Sequence, residues 1–390
     1  MTTLQCELDS VQQRRERATR ITFLIAGIAI AAWAPLVPYL KNGLAIDDGG
    51  LGLLLLCLGL GSLVAMPVTS ALVVHMGARR VIVMSALVCL SCLPLLAGLS
   101  SFLAAFITLL VFGASIGMLD VAMNLQAVAV ERTSGRSLMS GFHGLFSLGS
   151  IVGVSAMMGL LALGLSPTWA ASIVVMAALL GLVMAWSGLL NEVSADRSAP
   201  TFALPRGIVL LLGAICAISF LVEGAMLDWI GVLLHEYRDV STAWAGLGYA
   251  LFSVSMTIGR LSGDRLIGRF GHVPLVTLGT ALAAFGMLLI SLVPHWLVAG
   301  LGAMLVGLGC SNLVPIMFSL AGRQTLMPER VALPAVVTLG YAGLLAGPAA
   351  IGHVANVTSL VMALVMLALL LAAATVMGAR LPRSRYLKLR

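Results

Sequence analysis

A ladder of about twelve apolar segments runs the length of this chain, and twenty of its twenty-two Lys and Arg residues fall at alternate ends of those segments. The first run, 21–40, is apolar throughout, and at a rise of roughly 1.5 Å per residue it crosses a hydrocarbon core of roughly 30 Å. Others follow at 51–75, 80–99, 102–130, 138–164, 167–190, 207–234, 243–267, 273–293, 296–321, 331–353 and 357–379. Only 9% of the 390 residues are charged and 60% are hydrophobic. A soluble domain carries about 25% charge, so this chain cannot cover a water-facing surface. Barrel strands of roughly ten residues alternate apolar and polar, whereas these runs are apolar on every face. The fold class is therefore all-α, a polytopic membrane protein with twelve expected transmembrane helices.

The basic residues give an orientation. Arg14, Arg15, Arg17 and Arg20 precede the first segment, Arg79 and Arg80 follow the second, Arg132 and Arg136 the fourth, and Arg197 and Arg206 the sixth. The parity continues through Arg260, Arg265 and Arg269, then Arg323 and Arg330, then Arg380, Arg383, Arg385, Lys388 and Arg390; only Lys41 and Arg238 sit at the opposite ends. Both termini are expected in the cytoplasm, with the chain in the inner (plasma) membrane. The net charge of +7 follows from this rule and from attraction to anionic lipid, so it does not imply a nucleic-acid partner.

The first twenty residues contain Glu and Asp and lead into a twenty-residue apolar run that exits at Pro35 and Pro38, which argues for a retained helix instead of a cleaved signal. Cys57, Cys89, Cys92, Cys216 and Cys310 lie within apolar segments and Cys6 on the cytoplasmic side, with no metal or disulfide pattern. Cys89 and Cys92 read as packing residues.

The chain repeats itself about 190 residues on. His75-Met76-Gly77-Ala78-Arg79-Arg80 is mirrored by Arg269-Phe270-Gly271-His272, Ser147-Leu148-Gly149 by Thr338-Leu339-Gly340, and Arg132 by Arg323. The expected organisation is a cytoplasmic tail (1–19), a six-helix bundle (20–190), a linker (191–206), a second six-helix bundle (207–380) and a basic tail (381–390). Two pseudo-symmetric, parallel six-helix repeats are a transporter architecture.

Four stretches carry a family resemblance: Gly77-x-Arg79-Arg80; Gly259-Arg260-Leu261-x-Gly263-Asp264-Arg265; Gly117-Met118-Leu119-Asp120-Val121-Ala122-Met123-Asn124; and Pro315-Ile316-Met317-Phe318-Ser319-Leu320. Over nearly its whole length the chain resembles a major facilitator superfamily transporter, and within that superfamily it is similar to the fucose permease group and its uncharacterised bacterial relatives. His143-Gly144-x-x-Ser147-Leu148-Gly149 and Glu223-Gly224-Ala225-x-x-Asp228-Trp229 resemble those relatives more than the sugar permeases. The resemblance implies gating roles for Gly77, Arg79, Arg80, Arg132, Gly263, Asp264, Arg265 and Arg323. The family's loop motif carries Gly and Asp where this chain has Ser70 and Val74. The first-half clamp is therefore expected to be weaker or differently built, with Asp264 able to act in the second half.

An ionised carboxylate at the bilayer centre costs roughly 2.5–3.5 kcal/mol on insertion scales, so each one needs a partner, water or a function. Asp120 and Asn124 stand at i and i+4 on one face of the fourth segment. An acid at the matching position of the sugar permeases implies substrate and proton handling by Asp120; hydrogen bonding that fixes helix packing is the alternative. Glu223 lies mid-way in the seventh segment, with Asp228 and Trp229 nearer its end. Five residues place the two acids about 140° apart, so both face one narrow cavity only if the helix unwinds near Gly224. Glu223 is the second proton site expected. His143 has the titration range of a relay, and a hydrogen-bonded structural role is its alternative.

The superfamily sets its first, fourth, seventh and tenth helices around a cavity, so Trp33, Asn124, Asp228, Trp229 and Asn312 are the substrate-binding candidates, with Ser311 beside Asn312 and Pro315 expected to kink that helix. Indoles, amides and carboxylates suit a polyhydroxylated ligand.

No nucleotide loop, zinc motif or nucleophile elbow stands in a fitting context, so neither an enzyme nor a cofactor is expected. The function expected is proton-coupled symport of a small polar solute with sugar-like chemistry, by alternating access in a functional monomer. The sequence does not encode direction: an exporter of amphiphilic or toxic compounds, or a non-transporting receptor or scaffold, stays open.

Overall fold

The computed structural model describes residues 3–134, 138–191, 205–327 and 329–381, and the regular elements among them are helices. In chain order these are α1 (Thr3–Trp33), α2 (Val37–Leu44), α3 (Asp48–Met76), α4 (Ala78–Gly98), α5 (Phe102–Ser134), α6 (Met139–Ala162), α7 (Pro167–Ala185), α8 (Ile208–Asp228), α9 (Ile230–Tyr237), α10 (Leu247–Phe270), α11 (His272–Leu292), α12 (Trp296–Cys310), α13 (Leu313–Arg323), α14 (Glu329–Val357) and α15 (Leu360–Arg380). Short 3-10 turns join α1 to α2 (Ala34–Leu36), follow α7 (Trp186–Gly188) and precede α10 (Thr242–Trp244).

Eleven spans among the described residues are long and apolar enough to cross a membrane. The expected twelfth is α10, whose Arg260, Asp264, Arg265 and Arg269 make it too polar to count with the others. Its 24 residues extend about 36 Å, enough for a core of about 30 Å.

Local chemistry sets the element ends. Ser166 accepts from the Trp169 amide at 3.5 Å with Pro167 at the first helical position, and Ser359 accepts from the Met362 amide at 3.1 Å. The α3–α4 joint turns at Gly77 with φ +85°, and the α10–α11 joint at Gly271 with φ +80°. Glycine reaches this region without a Cβ clash, and the same device at both joints is the repeat made visible in the backbone.

The contacts divide the chain into two compact units, one of Met1–Ala45 with Cys57–Arg197, the other of Ile46–Leu56 with Ser198–Arg390. In the first, α1 packs on α6 so closely that a Cβ on Gly27 would strike the Phe146 carbonyl, and one on Gly149 the Leu24 carbonyl. In the second, α8 packs on α14 and a Cβ on Gly343 would strike the Ala217 carbonyl. Gly149 therefore corresponds to Gly343, one helical turn beyond the Gly340 that motif matching selects. Gly340 serves a different contact: it makes room for the Phe220 ring, whereas in the first unit the small residue is Gly27 on the facing helix. Small residues let backbones approach where lipid offers no hydrophobic force between helices.

Lys41 and Arg238, the two exceptions to the charge parity, are 7% and 8% exposed. Arg238 Nη2 donates to the carbonyls of Ile290 and Ser291, both at 2.8 Å, and so closes the C-terminus of α11. Burial pulls its guanidinium below the ordinary pKa. This exception to the parity is placed by a helix end.

Candidate functional site: a polar cluster at a helix break

The tenth apolar segment is not one helix. It breaks at Ser311 and Asn312 into α12 and α13. Pro315 is the cause: it has no N–H to return to the Ser311 carbonyl, and its ring crowds that same carbonyl. The freed oxygen accepts instead from Arg260 Nε of α10 at 3.4 Å. Arg260 Nη2 then lies 3.3 Å from Glu223 Oε2 of α8. Ser219, one turn earlier on α8, donates to Glu223 Oε1 at 3.4 Å.

Asn312 completes the cluster by donating through Nδ2 to the Gly259 carbonyl and to Ser311 Oγ, both at 3.0 Å. The approach requires the glycine pair on α10: a Cβ on Gly259 would strike Ser311 Oγ, and one on Gly263 would strike Asn312 Oδ1. The run Gly259-Arg260-x-x-Gly263 is thus a seat for the break in the neighbouring helix with a guanidinium beside it.

Arg260 is the residue that sequence reasoning misplaced. Counted there among the charges at segment ends, it lies ten residues before Phe270, about 15 Å along the helix. The glycines flanking it and its depth in the run were the available signal. Ser219 was missed because single hydroxyls in apolar helices are common; here it is placed by Glu223.

In the first unit, Asn124 Nδ2 donates to the Asp120 carbonyl at 2.9 Å and to Asp120 Oδ1 at 3.2 Å. Both side chains are half-buried, and among the described residues no Lys or Arg lies within ion-pair distance of Asp120. The two candidate proton sites therefore differ: Glu223 is paired with a cation and Asp120 with an amide.

The other candidates are placed as follows. Trp33, at the end of α1, is 1% exposed with its ring 6.2 Å from that of Phe112. Trp229 is fully buried at the α8–α9 junction, its Nε1 without a hydrogen-bond partner among the described residues, and Asp228 beside it is 6% exposed. The seventh segment breaks there, at Trp229, and stays helical through Gly224. His143 of α6 is exposed, edge-on to Phe23 at 5.2 Å.

Among the gating candidates, a Cβ on Gly77 would strike the Asn191 carbonyl, and Arg79 donates through Nε and Nη2 to the Leu189 carbonyl at 2.9 and 2.6 Å. Arg80, Arg265 and Arg323 are exposed. The side chains of Arg132 and Asp264 lie outside the described residues, as do Arg136, Arg197, Arg383, Arg385, Lys388 and Arg390.

The family model of the Major Facilitator Superfamily matches residues 21–332. An uncharacterised MFS-type transporter of Yersinia pestis is 47% identical over 91% of this chain and 92% of its own length. Membrane protein MosC of Rhizobium meliloti is 32% identical over 90% of this chain and 86% of its own. Among solved structures, the nucleoside transporter NupG is similar with a TM-score of 0.75 at 14% identity, over 96% of this chain and 100% of that one. The human organic anion transporter MFSD10 follows at 0.65 and 17%, over 94% and 99%. At such identities the structures carry the fold alone, and the relatives do not single out the fucose permease group. The family match, the relatives and the all-helical membrane fold agree: the chain belongs to the major facilitator superfamily and is a multi-pass membrane transporter.

Proposed function

We propose that the protein moves a small polar, sugar-like solute together with protons across the bacterial inner membrane by alternating access, as a monomer with both termini in the cytoplasm. The observation that carries this reading is the Glu223–Arg260 ion pair at 3.3 Å, set beside a carbonyl that Pro315 leaves without its helical partner. An ion pair within a membrane span is a poor stabiliser, because desolvating two charges offsets most of their attraction. Its value lies in being breakable.

Protonation of Glu223 removes the negative partner and leaves Arg260 with donors that a solute hydroxyl or anionic oxygen can accept. Loss of that proton re-forms the pair and expels the solute. Asp120, with an amide in place of a cation, is the second group proposed to take and release a proton. Nucleosides and organic anions, the solutes named for two structural relatives, offer the acceptor and donor groups that guanidinium, carboxylate and amide recognise.

The test is solute accumulation in proteoliposomes under an imposed pH gradient, with hydroxylated metabolites supplied as a pool and intravesicular content read by mass spectrometry. Concentration of a solute by wild type and not by Glu223→Gln is the expected result. Accumulation that follows a sodium gradient and ignores pH would replace the proton in this scheme.

A further inference from the structure

A second polar feature lies in the first unit, at the ends of its spans. A cavity of about 360 Å³ is lined by Val11, Arg14, Arg15 and Arg79 together with the turn from Ser187 to Asn191. We infer that this cavity is a binding site for a phosphate group, and that a phosphodiester of an anionic lipid headgroup is the ligand that fits it best.

Three arginines face one small space, and among the described residues no carboxylate lines it or pairs with them. Arg79 is already oriented. Its Nε and Nη2 are fixed on the Leu189 carbonyl, its amide donates to the Leu190 carbonyl at 2.8 Å, and its guanidinium lies 5.6 Å above the centre of the Trp186 ring. Among the described residues Nη1 donates to no other group, and a guanidinium held in one orientation loses little entropy on binding an oxyanion.

The facing wall is also built. Gln126, fully buried on α5, accepts from the Leu190 amide at 2.9 Å and donates to Thr19 Oγ1 at 3.2 Å and to the Gly188 carbonyl at 3.4 Å. That one amide ties the turn after α7 to α1, which carries Arg14 and Arg15. These elements hold the cavity's shape without a ligand.

Position favours the lipid source. Arg14 and Arg15 stand near the start of the first span, Arg79 at the start of the span 78–98 and Gly188 at the end of the span 167–188, so the cavity lies at headgroup depth on one leaflet. Trp186, 47% exposed beside it, is the kind of residue that marks a membrane interface. Val11, Leu189 and Leu190 give the cavity an apolar rim that suits a glycerol backbone better than a free anion.

The experiment is binding to the whole chain in neutral detergent, read by native mass spectrometry and by thermal shift. The probes are phosphatidylglycerol, cardiolipin, phosphatidylcholine and inorganic phosphate. Wild type should retain and be stabilised by the two anionic lipids and not by phosphatidylcholine. Arg14→Gln with Arg15→Gln should weaken that binding about 30-fold, the loss expected of two arginines beside an anionic headgroup. Arg269→Gln with Arg380→Gln removes the same charge elsewhere and should leave binding within about 3-fold of wild type.

Equal stabilisation by inorganic phosphate, lost in the same Arg14/Arg15 variant, assigns the site to a soluble phosphate source. Equal lipid retention by wild type and both double variants, with no phosphate effect, overturns the site. Because Arg14 and Arg15 take no part in the proposed coupling, failure here leaves the transport reading untouched, and the converse also holds.

Discussion

Arg260 and Glu223 meet at 3.3 Å although they come from different helices, and a proline on a third helix sets the meeting. Pro315 frees the Ser311 carbonyl, that carbonyl holds Arg260 Nε, and the guanidinium is thereby aimed at Glu223. Backbone chemistry on one helix orients a side chain on another, which leaves the ion pair poised by geometry that does not itself titrate.

The pair should behave as a unit. Arg260→Gln leaves a carboxylate without its cation and should cost about 1–2 kcal/mol of stability, less than a fully buried pair because Arg260 is 38% exposed. Glu223→Gln should cost less, and the double variant should recover most of the Arg260→Gln loss. Denaturation of all four proteins in detergent gives the coupling energy; strictly additive losses would show that the two side chains act independently.

Asp120→Asn should fold and insert as wild type does, since an amide keeps the shape and removes a charge disfavoured in the membrane. Uphill accumulation should fall to the level of empty liposomes while solute exchange persists. Full accumulation by both Asp120→Asn and Glu223→Gln would demote these acids to packing residues.

Pro315→Ala returns an N–H to the Ser311 carbonyl and should join α12 to α13 through a continuous helix. The amide that this substitution creates should exchange its hydrogen slowly, and solute transport should fall by about tenfold or more as Arg260 loses its anchor. Fast exchange at that amide, with unchanged exchange across the rest of 311–316, would show that the break has another cause.

The glycine contacts make a paired prediction. Gly149→Val places side-chain atoms against the Leu24 carbonyl and should destabilise by about 1–3 kcal/mol or prevent folding, whereas Gly141, with nothing within 4 Å of an added Cβ, should accept Ala and gain up to about 1 kcal/mol. Fluorescence-detected size exclusion after a heat step reads both. The ordering, not either value alone, is the check.

Arg238→Ala should strip the last carbonyls of α11 of their donors and lower stability by about 1–2 kcal/mol, with Lys recovering only part because it lacks the forked guanidinium. Membrane orientation should not change, because Arg238 stands at the ends that the charge parity leaves poor in basic residues. Unchanged stability of Arg238→Ala would show that these two hydrogen bonds do not hold the end of α11.

The membrane class and the apolar segments are legible along the chain, because these depend on what each residue does next to its neighbours: length, hydropathy, and the glycines and prolines that turn the backbone; the breaks within the first, seventh and tenth segments and the early start of α1 are not given by hydropathy. The repeat was legible at Gly77 and Gly271, which carry the same positive φ. Asp120 with Asn124 was legible too, since a pair at i and i+4 is a local relation. Relations between helices are a different matter, and these came from packing alone. Arg260 reads as an end charge until α8 and α13 are set beside α10, Gly340 reads as the partner of Gly149 until the helices are packed, and the burial of Trp33 and Trp229 shows only in the packed structure. An apolar helix has no polar face to say which neighbour each side meets. In lipid those choices are made by small-residue contacts and freed backbone groups, which act only once the helices are together.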